Sequence, residues 1–438
     1  MQIRIAAVFV ALAFTAFSAG FASSTAYGDA TPISTGGDAS LAVASSASEP
    51  GWRERDTLGG DLGGIRPWLK EHGITIQPRL TQFYQGMPKG DGAHGFEYGG
   101  KADMLLNADL TRLGAWHGLS FSIHGEYNFG EAVNGRGGTL IPVNTAMAFP
   151  GTEGKDASDI SSYQFKQLMF DDAVSLIAGK ISIIDYCNTK PFMGGVGIDS
   201  FWNLVFTAPP SGTVPAYFLG AIMNIKTEPA TFGLWVYDPN SALNKSGLDE
   251  PFQDGVTIRG SVSVPVTIFG LSGHQGLAAS YSTKDGKDWE TVDDENISFT
   301  SSATKTHRWY VAYTFDNWLY QSKENPKEGF GIFGQFAISD GNPNWLHWLA
   351  FSGFGGTGLI PGRPIDNWGI GYYYASFASG LKDLDSPYPD VRDEQGLEVF
   401  YNYAVTPWLV IGADVQFIRP GLDHDTAIFT GLRTVIKF

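Results

Sequence analysis

The chain has 438 residues and a formal net charge of −16, from 45 Asp and Glu against 29 Lys and Arg. This acidity argues against a nucleic-acid partner, because phosphate binding depends on clustered Lys and Arg. The single cysteine, Cys187, excludes an internal disulfide framework and a multi-cysteine metal site. Aromatic residues make up 14% of the chain, which excludes disorder for most of its length.

Residues 1–22 have the layout of a secretory signal peptide. Arg4 precedes an apolar run, and small residues follow it up to Ala22. The run is shorter than the ~20 apolar residues that a membrane-spanning helix needs. We expect cleavage after Ala22, with Ala26 as the alternative. Residues 23–50 are rich in Ser, Ala, Thr and Gly, which predicts a flexible arm.

Residues 51–73 are predicted to form an N-terminal segment with a short helix, and 74–438 to form one barrel with external loops. The second region alternates with strand periodicity. In LSFSIHGEYNF (119–129), Phe121 lies on an apolar face and His124 on a polar one. Segments of about ten residues suit strands that cross a membrane.

About sixteen segments show this alternation, and short connections alternate with long ones, as in outer-membrane barrels. Two connections, 317–327 and 353–366, are long where short turns are expected, which leaves the count open by two. The predicted strands are 74–85, 101–110, 119–129, 160–170, 173–183, 215–226, 231–238, 256–268, 275–284, 306–316, 328–338, 345–352, 367–378, 395–405, 408–418 and 426–438.

These features predict an all-β fold, a transmembrane antiparallel β-barrel of about 16 strands. A β protein can cross hydrocarbon only as a closed barrel, because every backbone N–H and C=O must be paired there. The chain ends in an amphipathic strand with Phe438 at its terminus. This ending is typical of chains that the barrel-assembly machinery inserts. A soluble exported lectin is the alternative class, but it would not need an apolar face of membrane length.

The sequence resembles the carbohydrate-selective porin family, OprB, over residues 56–438. The resemblance implies a bacterial outer-membrane channel of about sixteen strands that admits monosaccharides. It rests on several segments in order, among them LGGDLGGIRPWLKEHGI (58–74), NLVFTAPPSGTVP (203–215), FGQFAISDGNPN (333–344), GGTGLIPGRP (355–364) and DTAIFTGLRTVIKF (425–438).

A porin selects its solutes at a constriction, through charged side chains, aromatic walls and inward loops. Neutral sugars need donors and acceptors together, which Arg and carboxylate groups supply. The alternation turns the polar face toward the lumen, and the long loop 184–214 either folds inward or packs outside. The predicted constriction and sugar contacts are Arg79, Glu126 and Arg259, which lie mid-strand, together with His124, Asn128, Glu398, Arg433 and the loop residue Trp202.

No segment of the sequence indicates an enzyme, a cofactor site or a metal site. Gly353, Gly355 and Gly358 fit the dinucleotide fingerprint, but the Leu-Ile-Pro-Gly-Arg-Pro that follows cannot open the helix this motif requires.

The predicted function is therefore passive diffusion of monosaccharides such as glucose into the periplasm, through a water-filled barrel with a mixed-charge constriction. The alternative is a general diffusion porin of the same fold without a sugar site. Besides sugars, the expected partners are outer-membrane lipid, lipopolysaccharide and the assembly machinery. The pattern leaves open whether the chain is a monomer or a homo-oligomer.

Overall fold

The computed structural model describes residues 51–151, 156–189, 191–290, 303–383 and 390–438. The predicted signal peptide and arm, 1–50, lie outside the described residues. The described helices are all short: α1 Ile65–Glu71, α2 Thr145–Ala148, α3 Ile183–Tyr186, α4 Leu204–Thr207 and α5 Ser379–Lys382. Within the described ranges, none of the helices has the length and apolar character needed to cross a membrane.

Most of the described chain consists of antiparallel strands of 7 to 16 residues. The strands of the main sheet are β1 Ile74–Lys89, β2 Gly95–Asp109, β3 Leu119–Gly130, β4 Ala157–Met169, β5 Val174–Ser182, β6 Tyr217–Lys226, β7 Thr231–Tyr237, β8 Thr257–Ile268, β9 Leu271–Ser282, β12 Arg308–Gln321, β13 Gly329–Ser339, β14 Leu346–Thr357, β15 Asn367–Phe377, β16 Glu394–Thr406, β17 Leu409–Arg419 and β18 Ala427–Lys437.

Over the described residues, these sixteen strands pair in chain order and β18 pairs with β1, so the sheet closes into a barrel. A separate two-stranded ribbon, β10 Gly286–Lys287 with β11 Thr304–Lys305, lies in the long connection after β9. The fold class predicted from the alternation is confirmed. The two long connections shorten because β12 continues to Gln321 and β14 to Thr357, which leaves turns of ordinary length.

Alternation sets the two faces of the wall as the sequence pattern predicts. Tyr84, Met104 and Phe165 are about half exposed on the outside, where hydrocarbon would cover them. The neighbouring Thr81 and Lys101 are buried on the inside. Their positions follow from the register, which pairs Thr81 with Lys101 across β1 and β2.

The N-terminal segment is bonded to the turn end of the barrel. The Leu58 N–H donates to the Lys437 carbonyl at 2.8 Å, and the Trp408 indole N–H donates to the Trp52 carbonyl at 2.8 Å. The segment therefore lies beside the point where β1 meets β18. This end carries the short turns, so it faces the periplasm, and the long loops face outward.

Candidate functional site

The connection between β5 and β6, described over residues 183–189 and 191–216, folds into the barrel, and we call it the inner loop. Two buried charged side chains hold it. Glu398 accepts hydrogen bonds from the backbone N–H groups of Trp202 at 2.6 Å and Asn203 at 3.1 Å. Arg433 donates to the carbonyls of Gly197 at 2.9 Å and Ser200 at 3.0 Å. Bonds to charged groups are the stronger class, so these two residues fix the height of the loop.

Aromatic packing also holds the inner loop against the barrel wall. Phe201 lies edge-on to Phe400, with ring centroids 4.7 Å apart, and 4.8 Å from Phe206. Glycines on β15 make room for these rings. A Cβ at Gly369 would lie 2.6 Å from the Phe201 ring, and one at Gly371 would lie 2.6 Å from the Phe206 ring. The glycines are therefore required by the close approach of the loop to the wall.

The connection between β3 and β4 also enters the lumen over its described part, residues 131–151. Glu394 on β16 accepts from the backbone N–H groups of Leu140 at 2.7 Å and Ile141 at 3.3 Å. The Asn128 amide donates to the carbonyls of Ala146 at 3.2 Å and Pro150 at 3.3 Å. This second loop packs directly on the inner loop, since the Thr145 N–H donates to the Trp202 carbonyl at 2.7 Å.

A cluster of alternating charges lines the inner face of β1, β2 and β3. Arg79 forms a two-point ion pair with Asp103, at 3.0 and 3.1 Å, and a third bond to Asp199 of the inner loop at 3.1 Å. His124 lies 2.9 Å from Asp185 and 3.4 Å from Asp103. The wall and the inner loop are thus joined by groups of both charge signs.

Deeper in the same cluster, Lys101 donates to Glu126, and the Tyr217 hydroxyl donates to the other Glu126 oxygen at 2.9 Å. The cleft that Lys101, Glu126 and Tyr217 help to line has a volume of about 10 Å³, room for about one water. The solvent-exposed edge of the cluster is formed by other side chains. The side chains of Arg79, Asp185 and Asp199 are 18%, 30% and 41% exposed.

Arg259 lies in a different sector of the lumen wall. Its guanidinium sits 5.1 Å from the centroid of the Trp235 ring, which lies edge-on to Tyr186. Its Nε is buried and has no hydrogen-bond partner among the described residues. Trp235 is itself buried, so its ring supports the guanidinium and Arg259 supplies the donors of this sector.

The eight predicted site residues therefore separate into three groups. Arg79, His124 and Glu126 belong to the charged cluster, and Arg259 stands alone beside Trp235. Glu398, Arg433, Asn128 and Trp202 are buried among the loop contacts. Trp202 is fully buried between the Phe83 ring, 5.2 Å away, and the Arg433 guanidinium. In this conformation it presents no ring face to a solute, so a direct contact with sugar stays a prediction that requires the loop to move.

The sequence interpretation did not identify Asp185, Asp199 or Tyr217, which complete the charged cluster. The first two lie on the inner loop, where no strand periodicity assigns a direction to a side chain. Tyr217 is the first residue of β6, and every second residue after it is apolar. The alternation therefore did not assign its side chain to the polar lumen face. Across the described residues, the side chains include no group of His, Cys, Asp and Glu arranged to hold a metal ion.

Comparisons with known proteins agree with this architecture. Porin B of Pseudomonas aeruginosa is 24% identical over 191 residues, which span 38% of this chain and 42% of that protein. The high-pH structure of Pseudomonas putida OprB superimposes with a TM-score of 0.76 and 19% identity, covering 89% of this chain and 100% of that one. The low-pH structure of the same protein gives a TM-score of 0.54 and 16% identity, covering 88% and 99%.

The family model described as "Carbohydrate-selective porin, OprB family" matches residues 93–438, most of the chain. Members of this family are transport channels of the bacterial outer membrane, which fits the closed barrel and the inward loops. The chain accordingly belongs to the carbohydrate-selective porin family OprB.

Proposed function

We propose that the barrel admits monosaccharides such as glucose by passive diffusion, and that the constriction lies between the inner loop and the charged wall of β1–β3. The observation that carries the proposal is the bond from Arg79 to Asp199. It places a fixed loop opposite a wall that offers donors and acceptors side by side. A neutral solute with many hydroxyl groups gains from both, whereas an ion is repelled by one of them.

The exposure and the existing partners of each side chain indicate which predicted residues can contact a sugar. Arg79 has exposed surface in the lumen, while Glu126 is occupied by Lys101 and Tyr217. Arg259 offers guanidinium donors that a sugar hydroxyl could meet, and the buried Trp235 ring supports it from the wall. We therefore expect Arg79 and Arg259 to act on sugars directly, and His124 to act by orienting Asp103 and Asp185.

The second candidate function is general diffusion without a sugar site. One observation favours it: the donors of Arg79 are already paired with Asp103 and Asp199. A fully paired cluster would shape the field in the pore without binding a neutral solute. The two candidate functions differ in whether sugar competes with ions for the constriction.

Planar-bilayer conductance of the purified chain, titrated with glucose and then with a disaccharide, separates them. Progressive block by glucose supports a sugar site, and stable channels indifferent to glucose would leave a general porin. Arg259→Gln is the informative variant, because Arg259 pairs with no described carboxylate. We expect it to weaken glucose block by about tenfold, the equivalent of about 1.4 kcal/mol.

The matched control is Arg112→Gln, at an exposed turn on the periplasmic end. This variant should leave glucose block unchanged. Equal loss of block in both variants would contradict the assignment of Arg259 to the sugar path.

A further inference from the structure

The outer wall of the barrel carries a groove with a volume of about 1010 Å³ across β1–β4. It runs from Phe438, whose N–H donates to the Pro78 carbonyl at 3.0 Å, toward the loop between β7 and β8. Arg79, Asp103 and Glu126 border it only from the wall, since their side chains form the lumen cluster. The outward side chains that line its length are mostly apolar or aromatic (Pro78, Leu80, Ala102, Met104, Tyr127 and Ile160), and Ser158, opposite Tyr127, is polar.

The register explains why the wall is hollow here. Met104, Gly125 and Ile160 are direct cross-strand neighbours on the outer face. A Cβ added at Gly125 would meet no atom within 4 Å. Met104 and Ile160 are each about half exposed on either side of this position. Because Gly125 has no side chain, its backbone forms the floor of the groove.

The outer end of the groove is polar and is built by residues 244–246 of the β7–β8 loop. The loop is tied to the wall: the Tyr163 hydroxyl donates to the Ser246 carbonyl at 2.7 Å, and the Asn244 N–H donates to Asp159 at 2.9 Å. Lys180 neutralises Asp159 at 2.9 Å and also donates to the Lys245 carbonyl at 2.7 Å. The position of this end is therefore set by hydrogen bonds to the wall and by the Lys180–Asp159 ion pair.

Lys245 itself is exposed, and its ammonium forms no hydrogen bond or ion pair with a described residue. Lys245 thus stands as an exposed cation at the outward end of an apolar groove, in a loop that also carries Asp249, which accepts from the Ser246 hydroxyl at 3.0 Å. An amphiphile with an anionic head and a hydrocarbon tail is complementary to this arrangement, because its head matches the cation and its tail matches the apolar groove. The strands of a barrel wall also face lipid tails directly.

We propose that this groove binds one anionic, phosphate-bearing lipid of the outer leaflet. An acyl chain lies over Gly125 between Met104 and Ile160, and the phosphate pairs with Lys245. Because the groove lies outside the lumen, the site does not depend on the proposed sugar selectivity.

Photolabelling in vesicles tests the site. The full chain is reconstituted in phosphatidylcholine with a trace of phosphatidylglycerol that carries a diazirine on one acyl chain, and labelled peptides are mapped by mass spectrometry. We expect labelling concentrated on peptides with Met104, Tyr127 and Ile160. Gly125→Leu should abolish this concentration by filling the floor. Lys245→Gln should lower it about fivefold, the effect expected for one Lys beside an anionic lipid.

Gly260→Leu is the matched control, since a Cβ at Gly260 on β8 also meets open space. It should leave labelling of the groove unchanged. Heat-resistant migration on gels shows that each variant is folded. An equal label on all outward strands, or no response to Gly125→Leu, would overturn the proposal and leave ordinary lipid contact. Chain-to-chain crosslinks through the groove would also overturn it, because a second copy would then be the occupant.

Discussion

The inner faces of β13–β16 and of β1–β3 differ in chemistry although they belong to one continuous sheet. The first, which we call the aromatic half, packs Phe333, Phe351 and Phe400 against the inner loop with no exposed ring surface to spare. The second, the charged half, carries Arg79 and its partners along water-accessible space. One half therefore behaves as the core of a soluble protein, and the other as the wall of a channel. The inner loop thus packs as a core against the aromatic half and meets the charged half through polar and charged groups.

Removing a ring from the aromatic half should have the largest effect. Phe206 is fully buried and contacts Phe201, Phe351 and Tyr373 at centroid distances of 4.8, 5.9 and 6.0 Å. Phe206→Ala should cost about 3–5 kcal/mol. The lost stability weakens the packing of the inner loop against the wall, because the strand pairing of the barrel does not involve this side chain. We expect a severalfold larger single-channel conductance in planar bilayers.

Phe336→Ala provides the control, because Phe336 is 53% exposed on the outer face of β13. It removes the same ring without touching the loop and should conduct like the parent. Unchanged conductance in a folded Phe206→Ala barrel would show that Glu398 and Arg433 hold the loop without the aromatic half.

A change in the charged half should alter selectivity more than conductance. Arg79→Gln leaves Asp103 with His124 alone and frees Asp199. A unit charge at about 4 Å in water is equivalent to about 1 kcal/mol, so the cation-to-anion permeability ratio should rise about fivefold. The reversal potential in a KCl gradient measures this ratio. A shift toward anions would place Arg79 away from the ion path, and Arg112→Gln should show no shift at all.

The sequence predicted the charged half better than the aromatic half. In β1–β3 one face is polar and the other apolar, so alternation assigns Arg79, His124 and Glu126 to the lumen directly. In β13–β15 both faces are apolar, as FGIFGQFAIS shows (330–339). A strand with two apolar faces must have its inner face covered. That pattern is the signal from which the inward loop could have been inferred.

The rest of the site depends on loop conformation, which alternation does not determine. Asp185 and Asp199 reach the cluster because Arg433 and Glu398 hold the loop at its height. The sequence pattern predicts sugar binding for these two anchors because they are charged and face inward. Periodicity predicts that the side chains of Glu398 and Arg433 face the lumen. It does not predict which backbone groups they bind, because those groups belong to a segment distant in sequence.

One hydroxyl deletion made in each half compares how the two halves compensate a buried carboxylate. Tyr217 and Tyr373 each donate to a buried carboxylate at 2.9 Å, Glu126 in the charged half and Glu394 in the aromatic half. Glu126 keeps Lys101 as a counter-charge, whereas Glu394 forms no ion pair with a described residue and relies on neutral donors such as the Leu140 N–H. Hydrogen bonds to charged groups contribute about 1.5–3 kcal/mol. We expect Tyr373→Phe to lose stability in this range and Tyr217→Phe to lose about 1 kcal/mol. Urea titration of the folded form in detergent compares them, and equal losses would mean that Lys101 does not compensate Glu126.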